Sequence, residues 1–357
     1  MNRMKIFALQ ISLFICIAFQ AQNGGNSTFQ FLNYSNSARV EAAGGYLLTI
    51  KDSDASLGVE NPSLLNSSMH GFLALNYVNY FANSSYGYSS YTKHYTGIGT
   101  FNASLLFANY GKFEYADVSG ERNGSTFSAN DVALAVAYGR ELDSNFSIGA
   151  DIKFVGSFLE AYNAYGVSSD IAATYTKKAN GFAAAFMIKN LGIQLSSYTA
   201  NNREPLPLNI LLAFSKKLKH APFRFSFTAH NLQQWNIIYF DASQLVSSDP
   251  LTGEPIDIAE PGFVSKALYH LAIGGEMLLS KNFNIQFGYN HKNRKDLSSS
   301  IRPGASGLSW GFGFKVKKLH VSYGMGKYHI AGTSNHFTIS TKIGKPPKID
   351  SFYRQDY

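Results

Sequence analysis

A strict alternation of apolar and small or polar residues restricts the fold of this chain more than any other feature. Near the C-terminal end, large apolar side chains occupy every second position: Leu308, Trp310, Phe312, Phe314 and Val316. Small or polar residues lie between them: Ser309, Gly311, Gly313 and Lys315. Because successive side chains of a β-strand point to opposite faces, the pattern predicts a strand with one apolar face. A soluble sandwich would share this pattern, so the fold class depends on the rest of the chain.

The first 21 residues have the features of a secretory signal peptide. Arg3 and Lys5 precede an apolar run over residues 6–19, which is too short for a membrane anchor. The single cysteine, Cys16, lies inside this run. Removal of the signal would leave a chain without cysteine, which excludes disulfide bonds and thiolate metal sites.

The composition is unusual for a soluble protein. The chain has 28 Phe and 22 Tyr, but only 15% of its residues are charged, against about 25% in a typical soluble domain. The net charge of +8 comes from scattered basic residues, whereas nucleic-acid binding requires a concentrated basic face. Many aromatic and few charged residues favour strands whose apolar side faces lipid.

The apolar runs that follow the signal are too short for membrane-spanning helices. A run such as residues 182–188 is far shorter than the roughly 20 residues that a spanning helix requires, whereas a spanning strand requires only about 9–11. Lipid cannot satisfy backbone hydrogen-bonding groups, so spanning strands must close into a barrel. We therefore expect an all-β fold, a transmembrane antiparallel β-barrel.

The chain divides into four predicted regions: a signal peptide (1–21), an N-terminal plug or periplasmic segment (22–69), the barrel (70–343) and a periplasmic C-terminal tail (344–357). Alternation predicts about 14 strands, with the range 97–118 open to division into two near Gly111. The predicted strands are 71–80, 84–94, 97–118, 127–139, 144–157, 163–175, 180–190, 206–218, 222–232, 265–279, 282–292, 307–317, 318–326 and 334–343.

The predicted connections alternate between tight and long ones. Long connections are expected at 119–126, 191–205, 233–264 and 293–306, and all of them fall at one end of an even-stranded barrel. Bacterial outer-membrane barrels have short periplasmic turns and longer outer loops. The sequence therefore predicts an outer-membrane protein with extracellular long loops and periplasmic termini.

Several polar residues are predicted to point into the barrel: Asp151, Lys153, Arg224, His230, Lys315 and Lys317. They could line a path for a substrate. Salt bridges that fill the lumen are the preferred interpretation, because side chains fill the interior of small barrels.

Two surface segments are candidate binding sites. A basic run ends a predicted strand and could contact the anionic headgroups of lipopolysaccharide, or simply be solvated; it contains His291, Lys292, Arg294 and Lys295. The long connection 233–264 contains three prolines, which favours a stiff, displayed segment that binds a protein partner. Its acidic residues are the partner-binding candidates: Asp241, Asp249, Glu254, Asp257 and Glu260.

Catalytic, metal and cofactor motifs are weak. Ser90 and Lys93 match the S-x-x-K pattern of penicilloyl serine enzymes, but the K-T-G strand that such enzymes need is missing. The nine histidines are scattered singly, which argues against a metal site. We expect no catalytic residue, no cofactor and no enzymatic activity.

Particular stretches resemble a known family of outer-membrane barrels. Residues 37–45 (SARVEAAGG), followed by Asn61-Pro62, resemble the N-terminal pattern of long-chain fatty-acid-transporter-like barrels. Four short stretches and a C-terminal run are similar to the PorQ-type branch of that family, related to PorV: residues 203–208, 215–218, 220–225 and 288–291, and 328–338 (YHIAGTSNHFT). This branch belongs to the type IX secretion system of Bacteroidetes.

The resemblance implies a fourteen-stranded outer-membrane barrel with a scaffold role. PorQ-type proteins are part of the surface attachment complex, hold a PorZ-like surface protein and act indirectly with PorU-like and PorV-like components. PorZ-type partners are linked to anionic lipopolysaccharide, through which cargo is fixed to the cell surface. The alternative function is an outer-membrane transporter of hydrophobic small molecules, with 22–69 as a hatch, and the third candidate is a surface hydrolase. A scaffold should have a filled lumen, and a transporter should have an apolar lumen pocket and a gap in its wall.

Overall fold

A computed structural model describes most of the chain. The described residues are 27–35, 37–80, 83–117, 119–200, 202–238, 262–297, 305–329 and 332–343. The predicted signal peptide, the C-terminal tail and the five acidic partner-binding candidates lie outside these ranges: Asp241, Asp249, Glu254, Asp257 and Glu260.

Fourteen antiparallel strands form a closed barrel in which each strand pairs with its neighbours in sequence and β1 pairs with β14. The strands are β1 (Phe72–Asn79), β2 (Ser85–Tyr95), β3 (Gly99–Ala116), β4 (Arg122–Glu141), β5 (Phe146–Leu159), β6 (Tyr162–Lys177), β7 (Phe182–Ser196), β8 (Asn209–Lys217), β9 (Phe223–Ala229), β10 (Leu271–Met277), β11 (Phe283–Asn290), β12 (Leu308–Val316), β13 (Leu319–His329) and β14 (Gly332–Lys342).

The predicted strand count is confirmed, but the structure differs from the prediction at residues 263–269 and 119–126. Residues 263–269 form a helix rather than the start of a strand. The expected long connection 119–126 is short, because β4 already begins at Arg122. The range 97–118 is one strand with a bulge between Asn109 and Lys112, where Gly111 has a φ of 88°.

The three remaining long connections lie at the same end of the barrel. They span residues 197–208, 230–270 and 291–307, and each follows an odd-numbered strand. We call this the long-connection end and the opposite one the short-turn end. Lys317, predicted to point into the lumen, instead lies in the tight turn between β12 and β13 with a φ of 55°. That prediction was wrong because a two-residue turn interrupts the alternation there.

The alternating strands present their large apolar side chains to the outside of the barrel. On β12, Leu308 is 51% and Val316 54% exposed, whereas Ser309 between them is 8% exposed. The same holds for Leu134 on β4 and Phe287 on β11, which are more than half exposed. A continuous exposed apolar wall is stable in lipid rather than in water, so the alternation defines the membrane-facing surface.

The helices are short and are not part of the barrel wall. They are α1 (Ala38–Ala42), α2 (Ala55–Glu60), α3 (Phe263–Tyr269) and α4 (His291–Asp296), with 3₁₀ turns at Gln30–Asn33, Pro62–Leu64, Ser67–Met69 and Lys178–Asn180. Side chains cap α1 and α2: Ser37 accepts from the Arg39 amide, and Asp54 accepts from the Ser56 amide. In the part of the chain that the structure describes, no helix has the length and apolarity to cross a membrane.

Candidate functional site: the lumen and its cavities

Residues 27–70, here called the N-terminal segment, contact the inward side of the wall at several separate places. The Ala38 amide donates to Oγ1 of Thr338 on β14 at 2.9 Å. The Ser63 hydroxyl and Oγ1 of Thr174 on β6 are 2.7 Å apart, and Asn290 on β11 donates to the Gly44 carbonyl at 3.3 Å. Because β6 and β11–β14 lie on different parts of the wall, the segment occupies the space between them.

Glycines on neighbouring strands give α1 room to approach the wall. A Cβ atom on Gly324 would collide with the Ala38 carbonyl oxygen, and one on Gly288 with the Gly44 backbone nitrogen. A Cβ atom on Gly311 would lie 2.6 Å from the Ala42 Cβ. The small residues on the inward faces of β11, β12 and β13 are therefore explained by backbone-to-backbone packing of α1. We call this set the glycine cradle.

A second contact forms where Asn61-Pro62 meets β4 and β5. A Cβ atom on Gly139 or on Gly149 would collide with the Pro62 carbonyl oxygen. The Asn61 side chain fixes the turn: its Oδ1 accepts from the Ser63 amide at 2.9 Å, and its Nδ2 donates to the Leu48 carbonyl at 2.7 Å. The Asn-Pro pair therefore acts as a docking turn against the wall.

Arg39 is the centre of a buried ionic cluster that joins the N-terminal segment to β10. Its guanidinium lies 2.8 Å from Asp52, 3.2 Å from Asp54 and 2.8 Å from Glu276. Glu276 also pairs with Arg224 on β9 at 2.9 Å, which confirms the inward direction predicted for that arginine. Only 6% of the Arg39 side chain and 2% of the Glu276 side chain are exposed, so each charge depends on its partners.

A second ionic cluster lies on β5, β6 and β7. Lys153 is 2.5 Å from Asp170 and 3.6 Å from Asp151, and Lys189 is 3.1 Å from Glu60 of the N-terminal segment. These pairs confirm the predicted salt bridges of Asp151 and Lys153. Beside them is a cavity of about 10 Å³, which has room for about one water molecule.

The pKa of Asp52 predicts how acid affects the N-terminal segment. Burial alone would raise this pKa, but the charge and hydrogen bond of Arg39 outweigh burial and lower it to about 2. The unfolded-state pKa of an aspartate is higher, about 3.9. The ionised Asp52 therefore stabilises the fold at pH values above about 3.9, and this stabilisation is lost as the pH falls towards 2. The contribution is about 2 kcal/mol at neutral pH.

We therefore expect Asp52→Asn to lower the free energy of unfolding by a constant amount between pH 7 and pH 5. The difference from the unsubstituted chain should shrink below about pH 4. Equilibrium unfolding in detergent at several pH values measures it. The control is Glu114→Gln, which removes an exposed pair with Arg122 and should have little effect at any pH. A deficit of Asp52→Asn that persists unchanged at pH 2 would contradict the assignment.

A cavity of about 160 Å³ lies between the N-terminal segment and the wall, next to the long-connection end. Its lining includes Tyr34, Tyr46, Tyr80, Tyr86, His230 and Asn293. His230, predicted to face inward, is 1% exposed and stacks on Tyr46 with ring centroids 4.8 Å apart. Lys315, also predicted to face inward, donates to Oγ of Ser53 at 3.1 Å.

The basic run forms helix α4 at the long-connection end rather than the end of a strand, because β11 stops at Asn290. Lys292 pairs with Asp296 at 2.6 Å, and the His291 ring lies 3.0 Å from the Tyr289 hydroxyl. Arg294 and Lys295 lie in the last turn of the helix. Among the described residues, no group of three or more His, Cys, Asp or Glu side chains could hold a metal ion.

The alternation of the sequence does not point to the acidic and basic partners in the N-terminal segment: Arg39, Asp52, Asp54 and Glu60. No local signal marks them, because their partners are remote in sequence; Arg39 and Glu276 are 237 positions apart. Arg39 lies in the SARVE stretch of the family resemblance, but the resemblance assigns no role to this arginine.

Comparisons with known proteins show the fold. No family model matches the chain, and neither does any curated protein. Among solved structures, a TodX deltaS2S3 mutant, a monoaromatic hydrocarbon channel, has 12% identity and a TM-score of 0.52, covering 87% of this chain and 99% of that chain. The TodX deltaS2 mutant has 13% identity and a TM-score of 0.51, covering 86% and 97%. A Pseudomonas aeruginosa FadL homologue has 11% identity and a TM-score of 0.48, covering 87% and 98%. The two TodX likenesses show that this chain shares the fold of those barrels.

Proposed function

We propose that this protein is a non-enzymatic scaffold of the outer membrane, which holds a surface protein of the type IX secretion attachment complex. The observation that carries the proposal is the occupied lumen. The N-terminal segment is packed backbone-to-backbone on the glycine cradle and tied to the wall by the Arg39–Glu276 and Lys189–Glu60 ion pairs. A barrel whose lumen is filled in this way acts through its surface rather than through its interior.

The chemistry of the inward faces also supports a scaffold. A path for hydrophobic molecules requires an apolar lining. In the described part of the wall, many buried inward side chains are polar or charged: Asn76, Thr92, Asn102, Asp151, Lys153, Asp170, Thr228, Glu276, Gln286 and Thr338. Such a lining binds the polar groups of the N-terminal segment and opposes the passage of a hydrophobic solute.

The partner assignment rests on the resemblance to the PorQ-type branch and is part of the proposal. The partner would be a PorZ-like surface protein, with PorU-like and PorV-like components bound indirectly. The acidic residues of the connection 233–264 would contact this partner: Asp241, Asp249, Glu254, Asp257 and Glu260. The basic residues of α4 would contact lipopolysaccharide phosphates: His291, Lys292, Arg294 and Lys295.

A pull-down tests the scaffold. The tagged chain is extracted from its own cells in mild detergent, and the retained proteins are identified by mass spectrometry. We expect type IX secretion components with the unaltered chain and their loss after deletion of 241–260, while the barrel still assembles. A variant with the α4 charges neutralised is the matched control and should retain the protein partner. Recovery of the barrel alone, or unchanged retention after the deletion, would contradict the proposal.

The second candidate is a channel for hydrophobic small molecules, and the solved structures favour it. The two TodX mutants, with TM-scores of 0.51 and 0.52, are described as monoaromatic hydrocarbon channels. In this candidate the N-terminal segment is a hatch that leaves the lumen. The channel therefore requires movement of the N-terminal segment, whereas the scaffold does not.

A further inference from the structure

The barrel wall differs in height from one side to the other. The strands from β3 to β7 contain 14–20 residues each, whereas β9 and β10 contain 7 each. A strand that crosses the membrane requires about 9–11 residues. With a rise of about 3.4 Å per residue and a tilt of roughly 40°, seven residues span only about 18 Å, against an apolar band about 25 Å tall. The wall is therefore too low for the membrane at β9 and β10.

The missing height lies at the long-connection end of these two strands. At the short-turn end, exposed charged residues mark the level of the membrane surface: Lys217 ends β8, and Lys219 lies in the turn that follows. Charged side chains on the lipid face are tolerated near the membrane surface and not at its centre. The outward side chains of β9 above this level, Phe225 and Phe227, are apolar and exposed. The apolar band therefore has to continue beyond the last residue of β9.

Helix α3 lies at this low part of the rim and ends one residue before β10 begins. Its buried side faces the barrel. The Tyr269 ring lies 5.7 Å from the ring of His291 in α4, and Nδ1 of the following His270 donates to the His230 carbonyl at 2.7 Å. Because His230 faces the lumen, the opposite side of α3 is directed away from the lumen.

This opposite side of α3 is apolar and exposed. Phe263 is 74% and Val264 69% exposed, and Leu268 follows Val264 by one turn on the same side. Trp235, from the beginning of the same connection, lies with its ring centroid 5.1 Å from that of Phe263 and is half exposed. Large apolar side chains grouped in this way are unfavourable in water and mark a surface that is covered by lipid or protein.

The apolar group is continuous with the lipid-facing wall. Leu232 is 42% exposed, and its amide donates to the Ile210 carbonyl of β8 at 3.0 Å. Leu232 therefore belongs to the wall at the strand ends, three positions before Trp235. A helix that lies flat is about 10 Å wide, which is enough for the roughly 7 Å missing above β9 and β10.

The neighbouring helix α4 has the charge expected at a membrane surface. It contains three cationic residues and one carboxylate, since its sequence is HKNRKD. Helices that lie in the membrane surface combine Trp, Phe and Leu side chains on the lipid side with cations on the polar side. Tryptophan itself is enriched at the boundary between lipid and water.

We propose that α3 and Trp235 lie in the leaflet at the long-connection end, where Phe263, Val264 and Leu268 contact lipid acyl chains. The helix completes the lipid-facing surface above the short strands β9 and β10. This lipid contact is independent of the scaffold function, because a channel with the same low wall would need the same completion.

Tryptophan fluorescence tests the contact, because the chain has only two tryptophans, Trp235 and Trp310. Trp310→Phe leaves Trp235 as the single reporter. Trp235→Phe leaves Trp310 on the outward face of β12 as a reporter of known lipid contact. The full chain is inserted into phosphatidylcholine vesicles with or without bromine on the acyl chains close to the headgroup, and acrylamide is the aqueous quencher. We expect brominated lipid to quench both reporters and acrylamide to quench both weakly.

The matched control puts a reporter on the tall side of the wall. Phe113 is 43% exposed, but it lies 14 positions after the first residue of β3, farther than a membrane-spanning strand reaches. In a chain without the natural tryptophans, the reporter of Phe113→Trp should be quenched by acrylamide and not by brominated lipid.

A second pair of variants tests the anchoring side chains. In the Trp310→Phe chain, Phe263→Ser/Val264→Ser should weaken the quenching of Trp235 by brominated lipid and increase its quenching by acrylamide. Phe113→Ser in the same chain should change neither.

Two results would overturn the proposal. Quenching of Trp235 by acrylamide alone, as expected at position 113, would place α3 in water. Protection of Trp235 from both quenchers would show that protein covers it, either another part of this chain or a second copy. If Trp310→Phe does not fold, the difference between the unaltered chain and Trp235→Phe gives the Trp235 signal.

Discussion

Replacing Gly288 by valine should prevent the N-terminal segment from occupying the lumen. A Cβ atom at this position would collide with the backbone nitrogen of Gly44, and a backbone atom cannot move aside as a flexible side chain can. Overpacking of this kind costs about 3 kcal/mol. We expect a lower thermal midpoint in detergent and rapid proteolysis within residues 27–70, which are protected in the unaltered chain by packing against the wall.

The matched control is Gly275→Val on the neighbouring strand. Gly275 pairs with Phe287 and points outward, and its nearest neighbour would be 3.9 Å from an added Cβ atom. The same substitution there should leave the midpoint and the protease pattern unchanged. Equal behaviour of the two variants would contradict the glycine cradle.

Replacing Arg39 by methionine should destabilise the protein by about 3–5 kcal/mol, because it leaves buried carboxylates without their cation. Glu276 is almost fully buried and would keep only Arg224 as a partner, while Asp52 and Asp54 would lose theirs. Methionine has nearly the volume of the arginine stem, so the loss is mainly electrostatic. Equilibrium unfolding of the purified barrel measures the effect.

An exposed arginine provides the control. Arg122 pairs with Glu114, and 72% of its side chain is exposed, so Arg122→Met should cost less than about 1 kcal/mol. The double variant Arg39→Met/Asp54→Asn should recover part of the loss, since it removes one of the two carboxylates left without an ion pair. Equal effects of Arg39→Met and Arg122→Met would show that the cluster does not hold the N-terminal segment.

The wall of the barrel could be predicted from the sequence because its rule is local. Outward and inward residues alternate along each strand, as between Leu308 and Val316, so a short window contains the signal. The rule failed where the alternation of apolar and polar residues extends into residues that are not part of a strand. Residues 263–269 keep apolar side chains at suitable positions but form α3, and Lys317 continues the alternation of β12 into a turn.

The content of the lumen could not be predicted in the same way. The N-terminal segment has no sustained alternation, and its contacts join residues far apart in sequence, such as Ala38 with Thr338. The inward glycines read as small residues of a polar face, but which atoms need that space becomes visible only when α1 lies against them. His230 was placed inward correctly, yet its stacking on Tyr46 depends on the surrounding fold.

A disulfide lock is the most direct test of a barrel that works with its lumen permanently filled. The Ser63 and Thr174 hydroxyl oxygens are 2.7 Å apart and both residues are buried, so Ser63→Cys/Thr174→Cys would join the N-terminal segment to β6. The single natural cysteine lies in the predicted signal peptide, so no other thiol competes in the processed chain. The measurement is retention of the secretion components by the locked, oxidised variant, compared with the same variant after reduction. Equal retention is the result we predict. Loss of this retention on oxidation, and its return on reduction, would show that the N-terminal segment must move. That result would contradict the scaffold in favour of a channel.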